Sequence, residues 1–254
     1  GIDSGIAGER QLRVYASPET HSSIDKAVRI AGIGQQHLVK VPTDSSWALD
    51  AQALRQAIET DRAAGFLPAG VFLCIGGTSI GASDRVRQAI AVAREHDLYV
   101  HIDAAWAGSA MICPELRELW QGVDAADSIV FNPHKWLGAH FDCSIQFLAD
   151  PEPQVRTLGI RPDYLQTLGQ SETINYSEWT IPLGRRFRAL KLWFLLRAKR
   201  PGRPPSPHPQ PHRLGRGGRR RHRHAGWFSP DDELPFSALH VPVRAGGRKC
   251  QHCH

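Results

Sequence analysis

Lys135 is the residue of this sequence whose position best suits chemistry. It lies in the segment Asn132–Trp136, which reads Asn-Pro-His-Lys-Trp and directly follows the short apolar run Ser128–Phe131. Such a run is typical of a buried strand. Because open α/β sheets bind small molecules at the carboxyl ends of their strands, a lysine at this point can present its amine to a ligand. The alternative interpretation is a solvated surface lysine beside a turn.

Polar groups also follow two other apolar runs. Asp103 follows Tyr99–Ile102, and the segment Gly76–Ser79, which reads Gly-Gly-Thr-Ser, follows Gly70–Ile75. An amine, a carboxylate and a loop of amides and hydroxyls suit a phosphorylated, ring-bearing cofactor that needs an anion near a ring nitrogen. The alternatives are a helix cap for the aspartate and a simple turn for the Gly-Thr pair.

Alternating strands and helices are needed to bring these groups together. The apolar patterns predict strands at Val14–Ser17, His37–Val41, Gly70–Ile75, Tyr99–Ile102, Ser128–Phe131 and Phe141–Leu148, and helices at Ser22–Ala31, Asp50–Ala64, Asp84–His96 and Ile181–Leu196. We expect a serine cap to open the first helix. Strands and helices that alternate at this spacing predict an α/β fold with a mostly parallel sheet and helices on its faces.

The formal net charge of +6 conceals two parts of different composition. Residues 1–196 contain 18 Lys and Arg against 22 Asp and Glu, whereas residues 197–254 contain 13 against 3. Seven of the 13 histidines and nine of the 18 prolines also lie in the second part. We therefore predict a boundary near Arg197, followed by a disordered basic tail, because this composition buries too little apolar surface to offset chain entropy.

Composition also restricts the class of protein. No apolar stretch approaches the roughly 20 residues that a membrane-spanning helix needs. The first residues lack the basic and apolar regions of a signal peptide. The five cysteines are odd in number and lack the spacing of a disulfide framework. We therefore expect a cytoplasmic protein with reduced thiols and no membrane partner.

Several ordered motifs together resemble the group II pyridoxal-phosphate-dependent amino-acid decarboxylases. These motifs are His101–Gly108 (HIDAAWAG), Ile112–Glu115 (ICPE), Asn132–Trp136 (NPHKW) and Phe141–Ser144 (FDCS). The branch most resembled is the aromatic-L-amino-acid decarboxylases, and the likeness extends from about Val14 to Arg197. It implies a partial large domain of the aspartate-aminotransferase-like fold, with a mostly parallel sheet, over residues 1–196 and incomplete at its N-terminus.

The resemblance implies chemical roles for four residues. Lys135 resembles the Schiff-base lysine that holds pyridoxal phosphate, and Asp103 resembles the carboxylate beneath the pyridine nitrogen. His21 resembles the histidine that stacks on the cofactor ring. Tyr164 resembles the tyrosine that returns a proton to the substrate carbon, with an ordinary loop aromatic as the alternative.

Four further residues resemble cofactor-binding positions of the family. They are Thr78, Ala105, Asn132 and His134. The sequence departs from the family pattern next to the first of them, since Gly77 stands where a threonine is commoner. No metal site is implied.

The reaction implied by the resemblance is loss of the α-carboxylate of an L-amino acid, which gives an amine and carbon dioxide. Orientation of the bond to the carboxylate selects this outcome over transamination. Trp136 and the segment Asp142–Ser144 favour the aromatic branch over glutamate decarboxylases. An aldehyde-forming deamination, which some relatives perform, is the alternative, and a homodimer is expected because family members place their sites at a dimer interface.

The tail allows other interpretations. Arg216–His224 resembles a basic nucleic-acid patch but lacks interleaved aromatic residues, so a nucleic-acid partner is the less favoured hypothesis. Cys250–His254 matches a haem-attachment or zinc-binding spacing, for which chance is the better account without a supporting fold. The abrupt change of composition inside a helical pattern suggests a frameshifted reading of the coding sequence after Arg197, which resequencing the gene would test.

Overall fold

A six-stranded sheet forms the centre of this computed structural model, which describes residues 10–160 and 174–198. The strand order is β2-β1-β3-β4-β5-β6, and every pair is parallel except the last, in which β6 runs antiparallel to β5. The strands are β1 (Leu12–Ala16), β2 (Leu38–Lys40), β3 (Leu67–Cys74), β4 (Tyr99–Asp103), β5 (Ser128–Phe131) and β6 (Ile145–Leu148). The predicted mostly parallel α/β fold is therefore confirmed.

Of the five α-helices that the structure describes, the first three bury apolar residues at the spacing that the sequence predicts, and the last two bury none. They are α1 (Ser23–Ile30), α2 (Ala51–Ala63), α3 (Val86–Glu95), α4 (Glu152–Leu158) and α5 (Arg188–Ala198). Leu54 and Ile58 of α2 are fully buried, and Ile90 of α3 joins them in the main core cluster. Burying each such side chain stabilises the fold by about 1.5–3 kcal/mol. Burial of these residues holds α2 and α3 in the core beside the sheet.

The start of α1 differs from the predicted serine cap. Ser22 occupies the N-cap position, but its side chain makes no capping hydrogen bond. The ring of His21 bonds instead to the first residue of the helix, since its Nδ1 accepts a hydrogen bond of 3.2 Å from the backbone N–H of Ser23 and lies 2.9 Å from Ser23 Oγ. The prediction of a helix here was right, and the prediction of its cap was wrong.

Two elements begin at least four residues later than the apolar patterns predict. The predicted strand Phe141–Leu148 is regular only over β6, because the residues before Ile145 are held by side chains from the preceding loop. Helix α5 begins at Arg188, after Pro182 and Gly184, two residue types that disfavour a helix interior. None of the residues of α5 is buried within the described part of the chain.

Some expectations concern residues that the structure does not describe. Tyr164 and nearly all of the basic tail, residues 199–254, lie outside the described residues. Cys74, Cys113 and Cys143, the described cysteines, form no disulfide bond with one another. Within the described ranges, no helix has the length and apolar character that a bilayer crossing requires.

Asp50 provides a test of the fold at the start of α2. One of its carboxylate oxygens accepts hydrogen bonds from the backbone N–H groups of Gln52, at 2.8 Å, and Ala53, at 3.1 Å. Asp50→Ala is expected to lower the free energy of unfolding by about 1 kcal/mol, because these donors lose their acceptor. Asp50→Asn keeps an acceptor oxygen and is the control, expected within a few tenths of a kcal/mol of the original chain. Urea denaturation measures both, and equal losses in the two variants would contradict the capping role.

Candidate active site

The carboxyl ends of the three central parallel strands lie side by side. Cys74, the last residue of β3, pairs with Asp103, the last residue of β4, which in turn pairs with Val130 of β5. Because the strands are parallel, the loops that follow them leave from one edge of the sheet. This edge carries the loops that contain Thr78, Asp103 and Lys135.

Backbone hydrogen bonds join the loop after β4 to the loop after β5. The N–H of Ala104 donates to the carbonyl of Val130 at 2.9 Å, and the N–H of Asn132 donates to the carbonyl of Ala105 at 3.1 Å. Lys135 follows three residues later, where its own N–H donates to the carbonyl of Asn132 at 2.9 Å. The segments that bear Asp103 and Lys135 are therefore fastened to each other directly.

Asp103 is a buried carboxylate that has no cationic partner in the described residues. The residue is 8% exposed, and its Oδ1 accepts a hydrogen bond of 3.0 Å from the N–H of Ala105. A buried carboxylate is costly unless it is paired, so this group suits a ligand that brings a positive charge. Lys135 is half-buried and forms no ion pair among the described residues, which leaves its amine available.

The pKa of the Cys74 thiol is affected by the charges of both Asp103 and Lys135. Burial, with smaller contributions from the carboxylates of Asp103 and Asp84, raises its pKa to about 12, and the positive charge of Lys135 acts in the opposite direction. Asp103 and Lys135 therefore act on the same buried point at the end of β3. Cys74 was not predicted from the sequence as part of the site, because a cysteine that ends an apolar run is indistinguishable from an ordinary core residue.

A network of hydrogen bonds fixes the loop that carries Thr78. Asp84, which is buried, accepts 2.7 Å hydrogen bonds from the N–H groups of Leu49 and Cys74, one on each carboxylate oxygen. Burial raises the pKa of Asp84, while these two donors oppose the rise. The N–H of Gly77 donates to the carbonyl of Ala82 at 2.7 Å and closes the loop. Thr78 itself is exposed at the loop's outer side.

The loop that carries His21 adjoins the Thr78 loop. A Cβ added at Gly77 would lie 3.6 Å from the carbonyl oxygen of Glu19, two residues before the histidine. His21 is exposed, and its Nδ1 is engaged by Ser23 as described above. The structure thus brings His21 to the predicted edge of the sheet, at the start of α1.

The side chains of Asn132 and His134 bind the segment that leads into β6. Asn132 Oδ1 accepts a 2.6 Å hydrogen bond from Ser144 Oγ. His134 Nδ1 lies 3.0 Å from the backbone nitrogen and 2.5 Å from the carbonyl oxygen of Cys143, and its ring meets Phe141 edge-on at 4.8 Å. Both residues therefore shape the lysine loop, in addition to any contact with a ligand.

An ion pair that sequence reasoning missed connects the lysine loop to α5. Asp142 Oδ2 accepts hydrogen bonds from Nε of Arg188 at 2.9 Å and from its Nη2 at 2.8 Å, with Lys191 Nζ 4.0 Å from Oδ1. The Arg188 guanidinium, aided by Lys191, lowers the pKa of Asp142 to about 2. The pair was not foreseeable because its members are 46 residues apart in the sequence.

The described residues bring seven of the eight predicted site residues to one edge of the sheet or its adjoining loops. Tyr164 lies outside the described residues, so its place stays a prediction. No group of His, Cys, Asp and Glu in the described ranges could hold a metal ion.

Comparison with known proteins identifies relatives of the chain. Residues 4–201 match a family described as the pyridoxal-dependent decarboxylase conserved domain. An aromatic-L-amino-acid decarboxylase of Drosophila lebanonensis is 45% identical over 183 residues, which are 72% of this chain and 45% of that protein.

Two solved structures extend the likeness to the fold. The Oryza sativa enzyme TDC, crystallised with PLP and tryptamine, superposes with a TM-score of 0.73 at 37% identity and covers 78% of this chain and 41% of its own. The 4-hydroxyphenylacetaldehyde synthase of Rhodiola rosea gives a TM-score of 0.69 at 36% identity, over 78% and 40% of the two chains. This chain thus spans less than half the length of these relatives.

Replacing Arg188 with glutamine tests the ion pair with Asp142. The pKa of Asp142 is expected to rise from about 2 toward its ordinary value of 3.8, because the guanidinium no longer favours the charged form. A lowered pKa stabilises the folded state fully above 3.8, and this contribution is lost as the pH falls toward 2. Carboxyl-carbon NMR titration measures the pKa. Arg186→Gln, two residues earlier, is the control, and an unchanged Asp142 pKa in Arg188→Gln would refute the pairing.

Proposed function

This chain belongs to the pyridoxal-dependent decarboxylase family, and from that premise we propose that it is part of a lyase that removes the α-carboxylate of an L-amino acid. The products are the corresponding amine and carbon dioxide. The proposal rests on one observation: backbone hydrogen bonds join the Asp103 loop directly to the Lys135 loop. This places a buried carboxylate without an ion-pair partner in the described residues and an available amine at the same edge of the sheet.

The residues present fit pyridoxal phosphate, which when bound supplies an aldehyde that bonds to amines and a ring that withdraws electrons from the α-carbon. Lys135 offers the amine that would hold the cofactor until a substrate amine replaces it. Asp103 offers the buried negative charge that would keep a pyridine nitrogen protonated, and the N–H of Ala105 holds its carboxylate in place.

Residues in the surrounding loops would orient the cofactor and substrate. His21 offers a ring at the start of α1, and Thr78 and Asn132 offer polar groups from the loops after β3 and β5. His134 supports the lysine loop through Cys143. Tyr164 is proposed as the acid that protonates the α-carbon after the carboxylate leaves. Orientation of the departing carboxylate selects decarboxylation over transamination.

An aromatic side chain on the substrate is the proposed preference. The likeness to an aromatic-L-amino-acid decarboxylase supports it. The likeness to a 4-hydroxyphenylacetaldehyde synthase supports a second candidate, an aldehyde-forming deamination of the same class of substrate. Incubation with an aromatic L-amino acid and chromatography of the products separates the two, since one gives the amine and the other the aldehyde. A homodimer and a cytoplasmic location remain predictions from the sequence.

Replacing Lys135 tests the proposed attachment of the cofactor. Pyridoxal phosphate incubated with the chain and fixed by borohydride is expected to label Lys135, because its amine is free of ion pairs in the described structure. Lys135→Ala should abolish the label and the associated visible absorption band. Peptide mass mapping locates the modified residue.

Lys40 provides a matched control at another strand end. Its amine is held by Asp25, 3.1 Å away, at the end of β2. Lys40→Ala is expected to leave the labelling of Lys135 unchanged. Labelling spread over several lysines, or persisting in Lys135→Ala, would refute the proposal.

Replacing Asp103 tests the buried charge. Asp103→Asn can still accept the hydrogen bond from Ala105 but lacks the negative charge that favours a protonated ring nitrogen. A charge-assisted hydrogen bond contributes about 1.5–3 kcal/mol, so affinity for pyridoxal phosphate should fall about tenfold to hundredfold. Fluorescence titration measures the affinity, and Asp124→Asn, an exposed aspartate, is the control. Equal affinity in Asp103→Asn and the original chain would exclude this role.

A further inference from the structure

One aromatic side chain lies where the three site loops meet. Trp106 follows Asp103 by three residues and is half-buried, and it belongs to neither of the two core clusters of buried residues. Its contribution is therefore not that of an ordinary core residue. Its neighbours are the loops that carry Thr78 and Lys135.

On one side, Trp106 packs against the Thr78 loop. A Cβ added at Gly76 would lie 3.2 Å from Trp106 Cε3 and 2.3 Å from the Cβ of Ala107. A Cβ added at Gly81 would lie 3.6 Å from Trp106 Cζ3. Both glycines have positive φ angles, 72° and 73°. At Gly76 a side chain would clash with Ala107 and crowd the indole, whereas at Gly81 the positive φ angle is what favours glycine.

On the other side, Trp106 packs against the lysine loop. Its ring meets that of Trp136, the residue after Lys135, in an edge-to-face contact with centroids 4.5 Å apart and an interplanar angle of 69°. Edge-to-face aromatic pairs are favourable beyond the area that they bury. A single indole thus contacts both the loop that carries Thr78 and the loop that carries Lys135.

The base of Trp106 is itself fixed. The N–H of Gly108 donates to the carbonyl of Ala104 at 2.7 Å, and a Cβ added at Gly108 would lie 2.2 Å from the Cβ of Phe131. The short turn that bears the indole is therefore seated against the end of β5. A rigid base and two loop contacts are what a positioning residue requires.

We infer that Trp106 is a positioning residue that holds the Thr78 loop and the Lys135 loop in one arrangement around Asp103. This positioning should make capture of the cofactor by Lys135 fast, and that consequence rests on the proposed function. The geometric part, mechanical coupling of two loops through one ring, stands on the contacts alone.

Trp106→Leu, Trp106→Phe and the control Trp120→Leu test the inference in the full chain. Trp120 is buried in the main core cluster, so its replacement reports the general cost of losing a tryptophan. Amide hydrogen exchange is followed at Gly77 and Gly81 for one loop, and at Lys135 for the other, since all three donate backbone hydrogen bonds. Borohydride trapping of pyridoxal phosphate measures the rate of capture.

Trp106→Leu is expected to lower protection of these amides about threefold to tenfold in both loops, the range that loss of an aromatic pair produces. Trp106→Phe should restore most of it, and Trp120→Leu should lower the unfolding temperature without singling out these amides. The rate of cofactor capture should fall with the protection. Loss of protection in only one loop, in neither, or equally throughout the core would overturn the coupling.

The two proposals fail separately. If Lys135 of the original chain captures no cofactor, the proposed function falls, while hydrogen exchange still decides whether Trp106 couples the loops. If capture by Trp106→Leu proceeds at the original rate while the original chain is labelled at Lys135, the positioning role is refuted and the proposed function stands.

Discussion

Parallel pairing of β3, β4 and β5 is the constraint on which the site depends. Parallel strands send their following loops out from the same edge, so residues far apart in the sequence meet there without any need for a direct contact between their side chains. The register places the ends of β3 and β4 opposite each other, and the loop after β5 is hydrogen-bonded to the loop after β4. A slip of one residue in β4 would turn Asp103 to the other face of the sheet. Burial of the strands on the core side opposes such a slip, because it would expose Ile102.

The loops at this edge are held by a second layer of interactions that the strands do not provide. Asp84 is an example, since it satisfies two backbone N–H groups that would otherwise be buried without acceptors, one at the end of β3 and one in a distant loop. An unsatisfied buried donor costs about 1–3 kcal/mol. The raised pKa of Asp84 reflects the burial that this arrangement requires. The Asp84 carboxylate therefore fixes the shape of the loop, and the two N–H donors offset the cost of burying its charge.

The sequence was sufficient for those parts of the molecule that follow from local patterns. Apolar runs located β3, β4 and β5, because a strand buried in a sheet must be apolar over its buried residues, and alternation located β2. The spacing of Leu54 and Ile58 located the buried face of α2 in the same way. Polar residues that directly follow such runs, Asp103 and Lys135, were recognisable as site candidates since strand ends in this fold class meet ligands. Residue types at fixed spacing, in motifs around these two positions, then pointed to the family.

The features that the sequence did not predict depend mainly on contacts between residues distant in the sequence. The pairing of Asp142 with Arg188 joins the lysine loop to α5 across 46 residues, and neither partner has a local signal that names the other. The cap of α1 was misjudged because serine is among the residues preferred at the N-cap, whereas here the Ser22 side chain makes no capping hydrogen bond and the ring of His21 accepts one from the N–H of Ser23.

Trp106 shows why the fine geometry of the site lies beyond sequence patterns altogether. An aromatic residue after a strand-end aspartate is compatible with a core, surface or ligand-contacting role. Its position against two loops becomes visible only from its packing on Gly76 and Gly81 of one loop and on Trp136 of the other. Since a side chain would crowd the indole at Gly76 and strain the backbone at Gly81, the indole and the two glycines form one packing unit. The alignment of Lys135 with Asp103 then depends on residues with no chemistry of their own, so substitutions at these residues should disturb the site without removing any reacting group.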